Sequence, residues 1–584
     1  MNNKKLLVKN NKRYFEEAVL EKRNKLYVLH LKGSAYDIGY QHGILLREEI
    51  EKGAVKFYSD TLRNENLNPL KKLILKQVLK KKIYNPLEKA QPKEILEQFH
   101  GISDGSGLSY NTIFRGNHRA NITMILTPIL FRTYLKKFNN LGIDLEEACS
   151  TFMATKEATS KGITIVGRNT DYSGVHLWPK YQTISFVEPD DGFKYAQIGS
   201  AGVLMWAPGM NEEGIVVCAH SMKYEDVDPN GWSIPAFTDK ILRDAQNLED
   251  ARKILKKNPR GVSCGFVVTD GKSKNAFAAE ISKSKATIRW MEDNHLIMTN
   301  MAISEDKRKI DLVSKYNLNE GCPGRYRRLK QLIEKNFGKI DPSLAAKFMG
   351  DHIRYTTGTE RNAYGIIAVD DNVNSMVFSP EELKLWIAAG PAPVCNNPYI
   401  GFNFKQEIKG NTSNSTLETL EGYKFKDQNK KKGMKIFNQA YGLFESNPKK
   451  LRNILNLIQE ALNLDPEEII YYQMIAKIMI HLGQYNDAMG FISKALEFKQ
   501  SLNEKTHNYL LLGILYDLKK DRENSIKYYD KIEKLAKEGS QDPWFKVNRV
   551  LVAFANKYRK EAFNKKNLKE RSVSINFSQG SGIE

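Results

Sequence analysis

Cysteine is scarce in this sequence, with five residues in 584 (Cys149, Cys218, Cys264, Cys322 and Cys395), scattered and never in C-x-x-C spacing. An odd, dispersed set excludes a disulfide framework and a structural zinc site. Long apolar runs are missing as well. No stretch of 18 apolar residues is present to span a bilayer, and the basic start, with Lys4, Lys5 and Lys9, lacks the apolar segment of a signal peptide. The expected location is therefore the cytoplasm. A P-loop, a Cys/His zinc pattern and an aromatic-glycine RNA signature are also absent, so specific nucleic-acid binding is not expected, and no metal or cofactor is implied.

What is present is ordinary globular material in quantity. Hydrophobic residues make up 41% and charged residues 27%, which leaves out collagen-like, disordered and membrane-embedded classes. At about 150 residues per domain the chain holds three or four domains' worth of structure. Lys and Arg number 89 against 68 Asp and Glu, a net charge of +21. That balance favours phosphates, anionic lipid or acidic ligands without specifying any. Lys71, Lys72, Lys76, Lys80, Lys81 and Lys82 crowd one otherwise apolar stretch, whose plain reading is a solvated helix face.

The texture changes twice. Residues 1–148 read as mainly helical, with apolar spacing of three and four around Ile38–Ile50 and Leu70–Leu87. The small residues from Gly33 to Gly43 suggest close packing against a neighbour. From Ser150 short β-rich runs take over, at Thr151–Thr159, Ile163–Thr170, Tyr181–Val187, Tyr195–Ile198, Ile215–Ala219, Gly265–Val268 and Ala276–Ile281. Helical stretches interrupt at Phe237–Leu255 and Tyr326–Phe337, giving an α+β domain with layered sheets over 149–408. Residues 409–433 read as a polar linker. Beyond it, 434–584 is helical, and aligning Gly442, Ala476 and Gly513 gives steps of 34 and 37 residues. This all-α region resembles a three-unit tetratricopeptide array with a degenerate last unit and a basic tail, Lys557–Arg571, the alternative being an ordinary helical bundle.

Cys149 lies where helical texture gives way to strands, and Gly167-Arg168-Asn169-Thr170-Asp171 closes the second strand of the hairpin that follows. A buried cysteine alone is usually a small core hydrophobe. Here the hairpin carries Arg168 and Asp171 back alongside the start of the Cys149 strand. A cation favours thiolate, and a carboxylate can hold an ammonium. A structural Arg–Asp pair is the plain alternative.

The motifs occur in a familiar order. Cys149 is followed nineteen residues on by Arg168, then Asn169 and Asp171. Pro208-Gly-Met-Asn211-Glu-Glu-Gly214, Met298-Thr299-Asn300 and Gly324-Arg325-Tyr326-Arg327-Arg328 come next, with the Gly33–Gly43 spacing upstream. This set, over about 30–400, resembles the N-terminal-nucleophile hydrolases of the acyl-coenzyme A:6-aminopenicillanic acid acyltransferase type (peptidase family C45), relatives of choloylglycine hydrolases.

The resemblance implies a four-layer αββα core. It also implies self-cleavage between Ala148 and Cys149, after which fragment 1–148 stays bound as a subunit. An α-amino group, with an unperturbed pKa of about 7.7–8.0, then serves as base for its own thiol. Carried over residue by residue, Cys149 is the nucleophile, Asp171 orients the α-amine, and Arg168 is the cation near the thiol. Asn300 and a backbone N–H near Ser221 form the oxyanion site, Arg325 completes the charged network, and Thr151 assists self-cleavage. Asn211 reads as a turn former, and His42, His220 and His352 as core or surface histidines. The implied activity is an amidohydrolase or acyltransferase working on an acyl amide or thioester through a thioester intermediate. Acyl-coenzyme A would be a co-substrate rather than a cofactor. Two other readings remain: an interaction protein whose repeats bind a protein or peptide partner, with the core as scaffold, and a hydrolase weakly associated with anionic membrane through its positive charge.

Overall fold

The computed structural model describes residues 6–60, 69–137, 148–318, 320–363, 365–410, 416–569, 573–575 and 577. The stretch 411–415 of the expected linker and 570–572 at the end of the basic tail lie outside them.

Two sheets form the centre. The larger has eleven strands among the described residues and the smaller seven. Met153, Val166, Met376 and Phe402 from the smaller sheet interleave with Val28, Ile184, Phe186 and Val267 from the larger in one buried cluster. Each such side chain removed from water contributes about 1.5–3 kcal/mol. The outer face of the smaller sheet, through Phe152, Ile165 and Val377, packs on Leu329, Ile333 and Phe348 of the helices Gly321–Lys335 and Pro342–Met349. On the outer face of the larger sheet lie the helices Ile234–Asp244 and Leu248–Lys257. The order helix, sheet, sheet, helix is the expected αββα core. The single helical stretch anticipated at Phe237–Leu255 is two helices, broken where Asn247 caps the second through Asp250 N–H.

The N-terminal segment is mainly helical, as expected, but it opens on strands. Leu7–Lys9, Lys12–Phe15, Ala18–Arg23 and Leu26–Gly33 form an antiparallel meander at one end of the large sheet. Its tight turns use residues that tolerate left-handed backbone, Asn10 (φ 51°), Asn11 (φ 60°) and Asn24 (φ 53°). Leu26–Gly33 then pairs in parallel with Gln182–Pro189. Helices follow, and the expected close approach is there. Ala35–Leu45 crosses Lys93–Ser106 with Gly39, Gly43, Gly101 and Gly105 at the seam, where a Cβ on Gly39 would stand 2.1 Å from Gln98 O.

The expected linker is also structured. Thr416–Leu420 adds the outermost strand of the smaller sheet beside Tyr399–Asn403, and a helix already begins at Gln428. The helices beyond it pack in sequence order, Gln428–Ser446 on Leu451–Leu464, Ile469–Leu482 on Tyr485–Ala495 and Leu502–Leu518 on Arg522–Glu538, followed by Arg549–Lys560. Gly442, Ala476 and Gly513 fall on the first helix of each pair. Gly513 lies against the Tyr529 ring of its partner helix, whereas Gly442 lies against His176 of the core.

A buried polar network welds this region to the core. Arg361 donates to Glu468 (2.7 Å) and Glu504 (2.8 Å), Arg354 pairs with Glu320 and Glu504, and Asn362 donates to Asp465 (2.7 Å) and Tyr471 (3.1 Å). Among the described residues, no helix is long and apolar enough to cross a membrane. Because removing one member of a buried ion cluster strands the others, Glu504→Gln should lower the unfolding free energy by about 3–5 kcal/mol. Denaturant titration checks it; an unchanged midpoint would mean the network adds nothing to cohesion.

Candidate active site

The hairpin Ala148–Lys156 and Gly162–Asp171 sets the register, with Ala148 opposite Asp171, Cys149 opposite Thr170 and Thr151 opposite Arg168. Every residue of the first strand but Lys156 is buried. Gly167 permits the tight pairing, because a Cβ there would fall 2.4 Å from the Phe152 ring. Arg168 and Cys149 therefore share the face turned toward the large sheet. There the strand Ile215–Ser221 brings up Ala219, His220 and Ser221. Asn300 follows the strand His295–Met298, and Arg325 sits near the start of the helix Gly321–Lys335. Thr299 Oγ1 donates to Cys322 O (3.1 Å), fastening the Asn300 loop to that helix.

Cys149 is fully buried and meets three of the predicted partners directly. Arg168 Nη2 donates to its Sγ (2.9 Å), its backbone N–H donates to Asn300 Oδ1, and Arg325 Nη1 donates to its carbonyl. The other contacts of Arg168 are Ala219 O (2.5 Å), His220 Nε2 (3.1 Å) and Thr151 Oγ1 (3.4 Å). Arg325 also reaches Ser150 Oγ (2.8 Å) and Asn300 Oδ1 (3.2 Å). The Cys149 nitrogen is a peptide N–H, standing where the implied cleavage would leave an α-amine.

Asp171 Oδ1 accepts from Asn372 Nδ2 (2.7 Å), and Asn372 Oδ1 in turn accepts from Cys395 N (2.8 Å). Oδ2 of Asp171 is buried with no hydrogen-bond partner among the described residues. Burial and the neighbouring Asp371 carboxylate push Asp171 well above the usual carboxylate range, against the pull of Arg325, Asn372 and Arg168. Burial likewise pushes the Cys149 thiol up, with Arg168 the leading opposing influence. The thiol is thus protonated at neutral pH, held beside a cation that stabilises its ionised form.

Two expected roles look different in the uncut chain. Asn300 Nδ2 donates to Ser221 O (2.9 Å) and Ser221 Oγ (3.0 Å), so the intended oxyanion donor is engaged with the residue expected to help it. The Cys149 nitrogen bonds Asn300 rather than Asp171. Asn211 is the turn former anticipated, its amide donating to Leu242 O and Ala245 O while its Oδ1 accepts from Glu213 and Ile215 N–H.

His220 is a core histidine, as expected, and it also borders the site. Its Nε2 lies 2.8 Å from Thr151 Oγ1 as well as beside Arg168. Burial holds its pKa well below the ordinary value, and Arg168 and Arg325 push the same way, so the imidazole is neutral. Since Arg168 can only donate, Nε2 is an acceptor. His42 instead accepts from Gly202 N (3.0 Å), and His352 bonds Arg361 O (2.8 Å), both in the core. Among the described residues, no cluster of His, Cys, Asp or Glu has the grouping of a metal site. An open cavity of about 410 Å³, lined by Lys22, Lys25, His176 and Lys180 with Gly390 and Pro391, contains none of the residues that touch Cys149.

Residues 158–392 match the family model described as acyl-coenzyme A:6-aminopenicillanic acid acyl-transferase. Over this segment the chain is similar to that family of N-terminal-nucleophile hydrolases. The family match takes in Arg168, Asp171, Ser221, Asn300 and Arg325 and begins just past the strand bearing Ala148, Cys149 and Thr151. An uncharacterized protein of Archaeoglobus fulgidus is 24% identical over 401 residues, covering 63% of this chain and 64% of that protein. Protein dcd1B of Dictyostelium discoideum is 23% identical over 287 residues, covering 46% of this chain and 53% of its own. The chain thus spans less than two thirds of either relative. Among solved structures, the Caenorhabditis elegans N-acylethanolamine-hydrolyzing acid amidase ortholog aligns with a TM-score of 0.29 at 14% identity, over 40% of this chain and 93% of that one.

If Arg168 lowers the thiol pKa, its loss should move the pH profile of Cys149 alkylation upward. Arg168→Met is expected to raise the midpoint by about one unit or more, a roughly tenfold slower reaction at pH 7. Iodoacetamide kinetics against pH measure this, and a superimposable profile would remove Arg168 from that role.

Proposed function

We propose that the chain is a self-processing cysteine amidohydrolase or acyltransferase of the N-terminal-nucleophile type, with Cys149 as nucleophile. The observation that carries the reading is the set of contacts on one residue: Arg168 on Sγ, Asn300 on the nitrogen, Arg325 on the carbonyl, with an open acceptor at Asp171 Oδ2 across the hairpin. A structural cysteine needs none of these.

In the first stage Sγ attacks the Ala148 carbonyl carbon. A C–S bond forms, the C–N bond breaks, and the thiol proton ends on the departing nitrogen. Water then hydrolyses the thioester, its hydroxyl going to the Ala148 carboxyl group and its proton returning to Sγ, which frees fragment 1–148. In this scheme Thr151, bonded to neutral His220, relays the proton. The freed amine gains hydrogens that Asp171 Oδ2 can accept, which orients its lone pair toward Sγ. In turnover the neutral amine takes the thiol proton, and Sγ attacks the substrate carbonyl. Once the Cys149 peptide N–H is gone, Asn300 is free to share its amide with developing negative charge. The acyl group then passes to water or to an amine, steps that are identical until the second nucleophile arrives.

The helical region is tetratricopeptide-like in this proposal, but its buried polar face is occupied by Arg354, Arg361 and Asn362 of the core. That favours an integral part of the enzyme over a separate partner-binding array.

Intact mass tests the scheme. Wild-type protein should resolve into fragments of 148 and 436 residues, the larger beginning with Cys149. Cys149→Ala should stay one chain with no turnover, and Cys149→Ser should cleave and turn over slowly, its hydroxyl being the weaker nucleophile. Active wild-type protein that remains a single chain would end the proposal.

A further inference from the structure

The helix Pro69–Leu79 turns its apolar residues outward. Leu70, Leu73, Ile74 and Val78 are 66, 56, 56 and 49% exposed, and their spacing of three, four and eight places them on one stripe. The opposite side holds the helix to the protein through half-buried Leu75 and buried Leu79. The helical continuation is anchored by Ile83, Tyr84 and Leu87. Isolated surface leucines are ordinary, but a contiguous stripe of four aliphatic side chains is a contact surface.

Charge says what it contacts. Between residues 69 and 82 there are six lysines and no acidic residue. At 100° per residue, Lys71 lies along one border of the stripe, with Lys76 and Lys80 along the other. Long lysine stems can lie over apolar surface while their ammonium groups reach outward to phosphates. An apolar stripe edged on both sides by cations complements an anionic bilayer, whose acyl boundary takes the stripe and whose headgroups take the charges. The basic tail is built differently, since Val550, Leu551, Phe554 and Tyr558 of the helix Arg549–Lys560 are all buried.

We propose that Pro69–Leu79 is an interfacial helix that docks the protein on anionic phospholipid surfaces, with Leu70, Leu73, Ile74 and Val78 entering the headgroup–acyl boundary. The inference is independent of the chemistry assigned to Cys149.

Co-sedimentation of the full chain with vesicles of phosphatidylcholine and phosphatidylglycerol at about three to one, against phosphatidylcholine alone, tests it. Wild-type protein should pellet with the anionic vesicles and be released by salt. Leu73→Ser with Ile74→Ser should lower the partition coefficient by about tenfold or more, and Lys76→Glu with Lys80→Glu should abolish the preference for anionic lipid. Both pairs are exposed, so thermal midpoints should match wild type, confirming that folding is not the cause. Wild-type protein staying in the supernatant, or the serine variant binding as tightly as wild type, would overturn the proposal. So would a wild-type dimer that the serine variant loses, without vesicle binding, because it would assign the stripe to a second copy of the chain.

Discussion

The site depends on a guanidinium buried between two sheets. Arg168 leaves one sheet and, with a single fork, touches the Cys149 sulfur, the Ala219 carbonyl of the facing sheet, and the Thr151–His220 pair. Its two terminal nitrogens are met by oriented acceptors and a polarizable sulfur. A leucine would fill the same space for less desolvation cost. What a leucine would not do is bias the sulfur toward its anion. The cation therefore links nucleophile, second sheet and proton acceptor.

With the peptide bond before Cys149 intact, the site is not arranged as the proposed turnover needs it. Its thiol is sealed and protonated, the Asn300 amide faces Ser221, and the Asp171 oxygen that would meet an amine faces none. Under the proposed cleavage one nitrogen would cease to be the peptide donor to Asn300 and become a partner for Asp171. This economy explains why so many polar groups converge on one short strand. It also explains the position of Arg325, which holds the Cys149 carbonyl while everything on the other side of that residue changes.

How much of this could be read from residues varied with how local the signal was. The hairpin was legible because Thr151 and Ile165 lie in short runs of β-formers separated by turn residues, and because Cys149, Arg168 and Asp171 fall within 23 positions. The glycine seam was legible from its spacing. The N-terminal meander was missed although Asn10-Asn11 and Asn24 mark its turns; mixed charge along Lys12–Arg23 hid the alternation. Thr416–Leu420 was missed because an outermost strand exposed along much of its length has little apolar signature. His220 was not recoverable from sequence. It stands alone in an apolar run, 69 residues from Thr151, and only the stacking of one sheet on the other joins them.

The parallel pairing of Leu26–Gly33 with Gln182–Pro189 reaches beyond architecture. Those strands lie on opposite sides of the Ala148–Cys149 bond, so main-chain ladders would knit both products of the proposed scission into a single fabric. Such a cleavage would make two polypeptides without making two bodies. Neither piece owns a finished sheet: the shorter would present Leu26–Gly33 as a naked margin, and the longer would present Gln182–Pro189. A protein made as two separate chains would have to heal that margin before anything else in its centre was in place, which makes synthesis as one continuous precursor a matter of assembly as well as of chemistry.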